Sequence, residues 1–149
     1  MSKRIRDERF QAFNRIALHV LILLFERFPE PVDLDAKRIG LDAKPPDPTD
    51  TGEDLFSDIA LAKHTLIWLR DEGFISSLPN PGISKMDLLG VRLTTKGLTV
   101  LGYGGPRWHH WRFRSFAEEG KRILAEGTRQ EVVQLFRRML AAAATLGFG

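Results

Sequence analysis

Apolar positions recur in steps of three and four through Ile5, Phe10, Phe13, Ile16, Ala17, Val20, Leu21, Leu24, Phe25 and Phe28, which draws one stripe along a helix. Pro29 and Pro31 end it. Across residues 16–25 the chain is apolar almost all round, so this stretch predicts a helix covered on more than one side, by the rest of the chain or by a second copy. His19 lies inside it and reads as a packed or hydrogen-bonded histidine rather than a ligand.

Residues 33–39 read as a short helix that Asp33 caps and Gly40 ends. Pro45, Pro46 and Pro48 among small polar residues then predict an exposed loop. Thr51-Gly52-Glu53-Asp54 has the form of a capping box and launches the next helix. In that helix Leu55, Ile59, Ala62, Leu66 and Leu69 make one seam, Leu61, Thr65 and Trp68 make a second, partly apolar strip, and Gly73 supplies a left-handed stop.

Residues 74–78 have strand composition, Pro79-Asn80-Pro81-Gly82 is a turn cluster, and residues 91–94 read as a second short strand, which together predict a hairpin with a long tip. Thr94 or Thr95 caps a short helix through Leu98 and Leu101. Gly102-Tyr103-Gly104-Gly105-Pro106 reads as a hinge, dividing the chain into a first domain at 1–101 and a helical extension at 107–149 that serves packing or dimerisation. Within the extension Ser115-Phe116-Ala117-Glu118 and Thr128-Arg129-Gln130-Glu131 read as helix starts, the second followed by Val132, Leu135, Phe136, Met139, Leu140, Ala143 and Leu146 on one side. The expected fold class is mainly α with a small β-hairpin.

With 149 residues and 43% hydrophobic content, the chain suits one core, or one core with a small appendage. The lack of cysteine excludes a disulfide framework and thiolate zinc sites. The strongest apolar run, residues 16–25, is about half the 18 to 20 residues a bilayer span needs. Asp7, Glu8 and Glu26 flank it without a small-residue cleavage site, so no signal peptide is read and the expected location is the cytoplasm.

A net charge of +3 identifies no partner by itself, but its distribution is informative. Residues 41–73 hold three basic residues against eight acidic, a balance of −5, whereas residues 103–149 hold eight basic against four acidic, a balance of +4. With Lys3, Arg4, Arg6 and Arg9 at the other end, basic charge gathers toward the two termini.

Arg107, Arg112 and Arg114 alternate with Trp108, Trp111 and Phe113, a pattern suited to base stacking and phosphate contact. The same rings equally suit packing of the extension onto the first domain while the arginines stay solvated. His109 and His110 are adjacent, point apart in any regular element and have no acidic or cysteine partner at ligand spacing, so no metal site is read there. The acidic loop over residues 47–54 lacks the alternating ligands of a calcium loop. No nucleophile elbow, phosphate loop, zinc-protease motif or dinucleotide turn is found, so no catalytic residue and no cofactor is expected.

The order helix, short helix, helix, hairpin, with Leu69-Arg70-Asp71-Glu72-Gly73-Phe74-Ile75 leading into the hairpin and Leu93-Thr94-Thr95-Lys96-Gly97-Leu98 following it, resembles the winged helix-turn-helix superfamily of bacterial and phage regulators over about residues 10–101. The resemblance implies a dimeric transcription regulator that binds double-stranded DNA, with the third helix in the major groove and the hairpin as the wing. Its groove-facing residues would come from Ser57, Asp58, Leu61, His64, Thr65 and Trp68, and its wing contacts from Lys85 and Arg92. The acidic balance around the third helix opposes phosphate, so Arg107, Arg112, Arg114 and the basic N-terminus are the expected suppliers of positive charge. The alternative is a protein-interaction adaptor that keeps the scaffold and holds its partner through Leu61 and Trp68.

Overall fold

A computed structural model describes residues 3–43, 52–79, 87–102 and 115–148. Helix α1, Lys3–Arg27, stops just ahead of Pro29 as expected and runs through the middle of the molecule. Around it pack α2 (Ala36–Ala43), α3 (Gly52–Asp71), α4 (Thr95–Gly102), α5 (Phe116–Glu126) and α6 (Arg129–Ala143), the last continuing into a π-helical turn at Ala144–Phe148. Ile16, Ala17, Leu18, Val20, Leu21, Ile22 and Leu24 are all buried, so the all-round apolar pattern of this stretch is satisfied inside one chain. Full burial of a leucine or isoleucine contributes about 1.5–3 kcal/mol, which makes the centre of α1 a leading stabilising element.

That packing removes the ground on which a homodimer was expected. The apolar face of α6, with Val132, Leu135, Phe136 and Met139 buried, lies against α1 rather than on the surface. Residues 115–148 therefore complete the core of the first hundred residues instead of standing apart from it.

Three strands form an antiparallel sheet in the order β1-β3-β2, where β1 is Val32–Asp35, β2 is Ile75–Ser76 and β3 is Asp87–Leu93. Strand β1 corrects the helix expected over residues 33–39: alternation of Val32 and Leu34 with Asp33 and Asp35 is a period-two pattern, and the helix starts only at Ala36. It then runs through Gly40 to Ala43, so Gly40 does not end it. Asp35, not Asp33, serves the helix start, its carboxylate accepting from the Lys37 amide at 2.9 Å.

Asp33 does something else. Val32 pairs with Val91 and Leu34 with Leu88, so β3 carries one residue more than β1 over this interval. Gly90 takes up the bulge with φ +59°, and its freed amide donates to Asp33 Oδ1 at 2.9 Å. Strand β2 is shorter than residues 74–78, although the Leu78 amide still donates to the Leu89 carbonyl at 2.9 Å and keeps the hairpin paired.

Both helix starts read in the extension are present. Ser115 accepts from the Glu118 amide, and Thr128 and Glu131 form a reciprocal capping box. Thr128→Ala is expected to lower the unfolding free energy by about 1 kcal/mol, measured by urea denaturation. A change below about 0.3 kcal/mol would show that the box contributes nothing. Arg122 bridges the two helices, its Nε 3.2 Å from Glu119 Oε2 and its Nη2 3.7 Å from Glu131 Oε2. The hydrogen bond and negative charge of Glu119, helped by Glu131, raise the pKa of that guanidinium above its ordinary value. The Arg15 guanidinium of α1 donates to the Leu124 carbonyl of α5 at 3.2 Å, fixing the extension to the central helix.

The architecture is thus mainly α with a small antiparallel sheet. No helix among the described residues is long and apolar enough to cross a membrane.

Candidate nucleic-acid interface

Helix α3 begins at Gly52, directly after the threonine expected to cap it. Its far end is closed by Gly73 at φ +83°, with the Gly73 amide donating to the Arg70 carbonyl at 3.0 Å and the Phe74 amide to the Leu69 carbonyl at 2.9 Å. This paired closure with a left-handed glycine satisfies two carbonyls that a helix end otherwise leaves open.

The following motif closes the same corner from the other side. Thr94 caps α4: its hydroxyl accepts from the Gly97 amide at 3.1 Å, and its single proton is shared between the carbonyls of Gly73 and Phe74. Lys96 Nζ donates to the Glu72 carbonyl at 2.7 Å and sits 4.5 Å from the centre of the Phe74 ring. Gly97 has no room for a side chain, because a Cβ there would run into the Phe74 carbonyl oxygen. Residues 94–97 therefore clamp α4 onto the corner where α3 turns into β2.

Clamped in this way, α3 is buried on a broader face than one seam. Ala62, Thr65, Leu66 and Leu69 are buried, and Leu61 and Trp68 pack half-buried against the core. Thr65 is not available to a base: it is 1% exposed and its hydroxyl donates to the Leu61 carbonyl at 2.7 Å. Trp68 meets Phe13 edge-on at 5.1 Å between centroids, stacks near Phe74 at 6.2 Å and approaches Phe136 at 6.3 Å. Rings of α1 and α6 thus cover Trp68, which was expected to face a groove of DNA.

The outward strip is rotated from the expected one. Ala60, Lys63, His64, Ile67, Arg70 and Asp71 follow one another at helical spacing, with His64, Arg70 and Asp71 exposed and Lys63 and Ile67 partly so. Of the expected groove-facing residues, His64 belongs to this strip, and Ser57 lies on α3 near its start. Lys63 and Arg70 were not among the expected contacts, although their spacing from His64 and Ile67 is legible in the sequence. Arg70 Nε lies 3.8 Å from Asp71 Oδ1, a surface contact worth little, whereas Lys63 has no ion pair among the described residues.

Arg92 is exposed on β3 opposite Ser76 of β2, also without an ion pair among the described residues. Lys85, Arg107, Arg112 and Arg114 fall outside the described residues, as does residue range 103–106 of the expected hinge. No cluster of three or more histidine or carboxylate side chains suited to a metal occurs among the described residues.

Comparison with protein-family models, with curated proteins and with solved structures finds no match to this chain.

Proposed function

We propose that this protein is a sequence-specific DNA-binding regulator built on a winged helix-turn-helix core, with α3 presented to the duplex and the β2-β3 hairpin as its wing. One observation carries the reading: the order α1-β1-α2-α3-β2-β3 closes into an antiparallel sheet β1-β3-β2, with α2 packed on α3. This order supports the reading because it keeps the helix, short helix, helix and hairpin sequence of such a core, and the clamp at residues 94–97 holds the end of α3 against the sheet. The outer strip of α3 supports the reading through its cations, since Lys63 and Arg70 lie on it, the latter beside Asp71, and Arg92 is exposed on the hairpin. Phosphate contacts made by such cations set register and salt dependence, while bases are read by the side chains between them.

The adaptor reading has less support, because Leu61 and Trp68 pack inward rather than forming an exposed patch. The deciding experiment is binding to random-sequence duplex by fluorescence anisotropy across a salt series. The double variant Lys63→Glu, Arg92→Glu should bind about tenfold more weakly, and its affinity should fall less steeply with salt, by about two units of slope. Equal affinity and equal slope for variant and parent would end the assignment of these two elements to DNA.

A further inference from the structure

Between α1, α3 and α6 lies an apolar groove of about 300 Å³. Four aromatic rings, Phe10, Phe13, Trp68 and Phe136, line it together with Val133 and Leu140. Phe10 and Phe13 are stacked at 6.2 Å, and Phe13 stands edge-on to both Trp68 and Phe136, so the wall offers ring faces and ring edges to a flat guest. Water gains few partners against such a surface, and the volume is at the lower end of small-molecule sites.

Two lining residues are polar, and they differ in what they have left to give. Asn14 is 2% exposed and its amide nitrogen donates to the Phe10 carbonyl at 2.6 Å, inside its own helix. Arg137 is exposed and makes no ion pair among the described residues. Among the described residues no acidic side chain lines the groove. An arginine lining a ring-walled apolar hollow, without an ion pair among the described residues, complements one negative group on a flat apolar body, and a guanidinium's planar fork fits a carboxylate in two parallel hydrogen bonds.

We infer that this groove binds a small aromatic carboxylate, with the ring system among Phe10, Phe13, Trp68 and Phe136 and the carboxylate on Arg137. Trp68 belongs to α3 and stacks near Phe74 at the start of the hairpin, so a guest here touches the ring on which α3 is seated. The inference rests on the groove alone and stands whether or not α3 meets DNA.

The test is calorimetric titration of the full-length protein with 1-naphthoate, and with 1-naphthylmethanol and 1-naphthylmethylamine as neutral and cationic counterparts, its mass in solution being measured on the same sample. Naphthoate should bind, the alcohol about tenfold more weakly and the amine more weakly still. Arg137→Met, a surface change that leaves the core intact, should reduce naphthoate affinity to that of the alcohol without altering the melting temperature of the free protein. Val133→Trp, which fills the groove, should abolish binding of both; if it does not fold, the Arg137→Met result decides alone. Three results would overturn the inference: no naphthoate binding at millimolar concentration, equal binding by the parent and Arg137→Met, or a dimer that Arg137→Met or Val133→Trp splits into monomers. The last would give the groove to a second copy of the chain.

Discussion

Gly97→Ala is expected to lower the unfolding free energy by about 3 kcal/mol, read as a fall of roughly 6–12 °C in melting temperature. The added methyl would meet the Phe74 carbonyl oxygen, a backbone atom that cannot swing aside, and would lie 3.1 Å from Leu93 Cδ2. Relief requires α4 to lift from the corner between α3 and β2. Lifting breaks the Thr94 bonds to Gly73 and Phe74 and the Lys96 bond to Glu72, and it opens the core at Leu93, Val100 and Leu101. Gly102→Ala is the matched control. Among the described residues no atom outside its own helix lies within 4 Å of a Cβ placed there, so that variant should melt within about 2 °C of the parent. If Gly97→Ala also melts within that margin, the clamp does not hold this corner.

The clamp gives the motif at residues 93–98 a physical meaning. Leu93 and Gly97 are buried, Thr94 bridges two chain segments, and Lys96 supplies a cation to the Glu72 carbonyl just past the end of α3. Each residue type is demanded by a contact whose other half lies about twenty positions earlier. The motif was therefore legible as a pattern, while its purpose emerged only when residues 72–74 were placed beside it. Its effect is to fix the direction in which α3 leaves the hairpin, which any ligand of the α3 outer strip would require.

Several signals whose partners lie within a few residues hold in the structure, although the Asp33 cap and the Gly40 stop do not. The Thr128 and Glu131 box, the Ser115 cap, the Gly73 stop and the end of α1 before Pro29 all depend on neighbours along the chain. Strand β1 was missed because Val32 to Asp35 offers only two cycles of alternation, and its partner β3 lies more than fifty residues away. The inward turn of Trp68 was missed for the same kind of reason, since Phe136 reaches it from the far end of the chain. A helix pattern with one apolar seam and one half-apolar strip does not reveal whether a later segment will cover the strip. Here it does, and the candidate contact surface shifts from Leu61, Thr65 and Trp68 to Lys63, His64 and Arg70.

A chain cut after Gly102, the end of the domain read over residues 1–101, should fail to fold as a cooperative unit, with near-ultraviolet circular dichroism lost and hydrophobic dye bound. Removing α5 and α6 uncovers the sides of α1 they pack against, and it strips Phe136 from the rings of Phe13 and Trp68. Phe116, Ile123, Val132, Leu135, Phe136 and Met139 leave the core together. At about 1.5–3 kcal/mol for each large side chain, their loss together is of the same size as the 5–15 kcal/mol by which a domain is ordinarily stable. A graded version retains the fold. Phe136→Ala, at a site 1% exposed, should cost about 3–5 kcal/mol, with a lower denaturant midpoint at an unchanged slope. Cooperative melting of the 1–102 fragment near the temperature of the full chain would return residues 115–148 to the status of an appendage and separate α6 from the seating of α3.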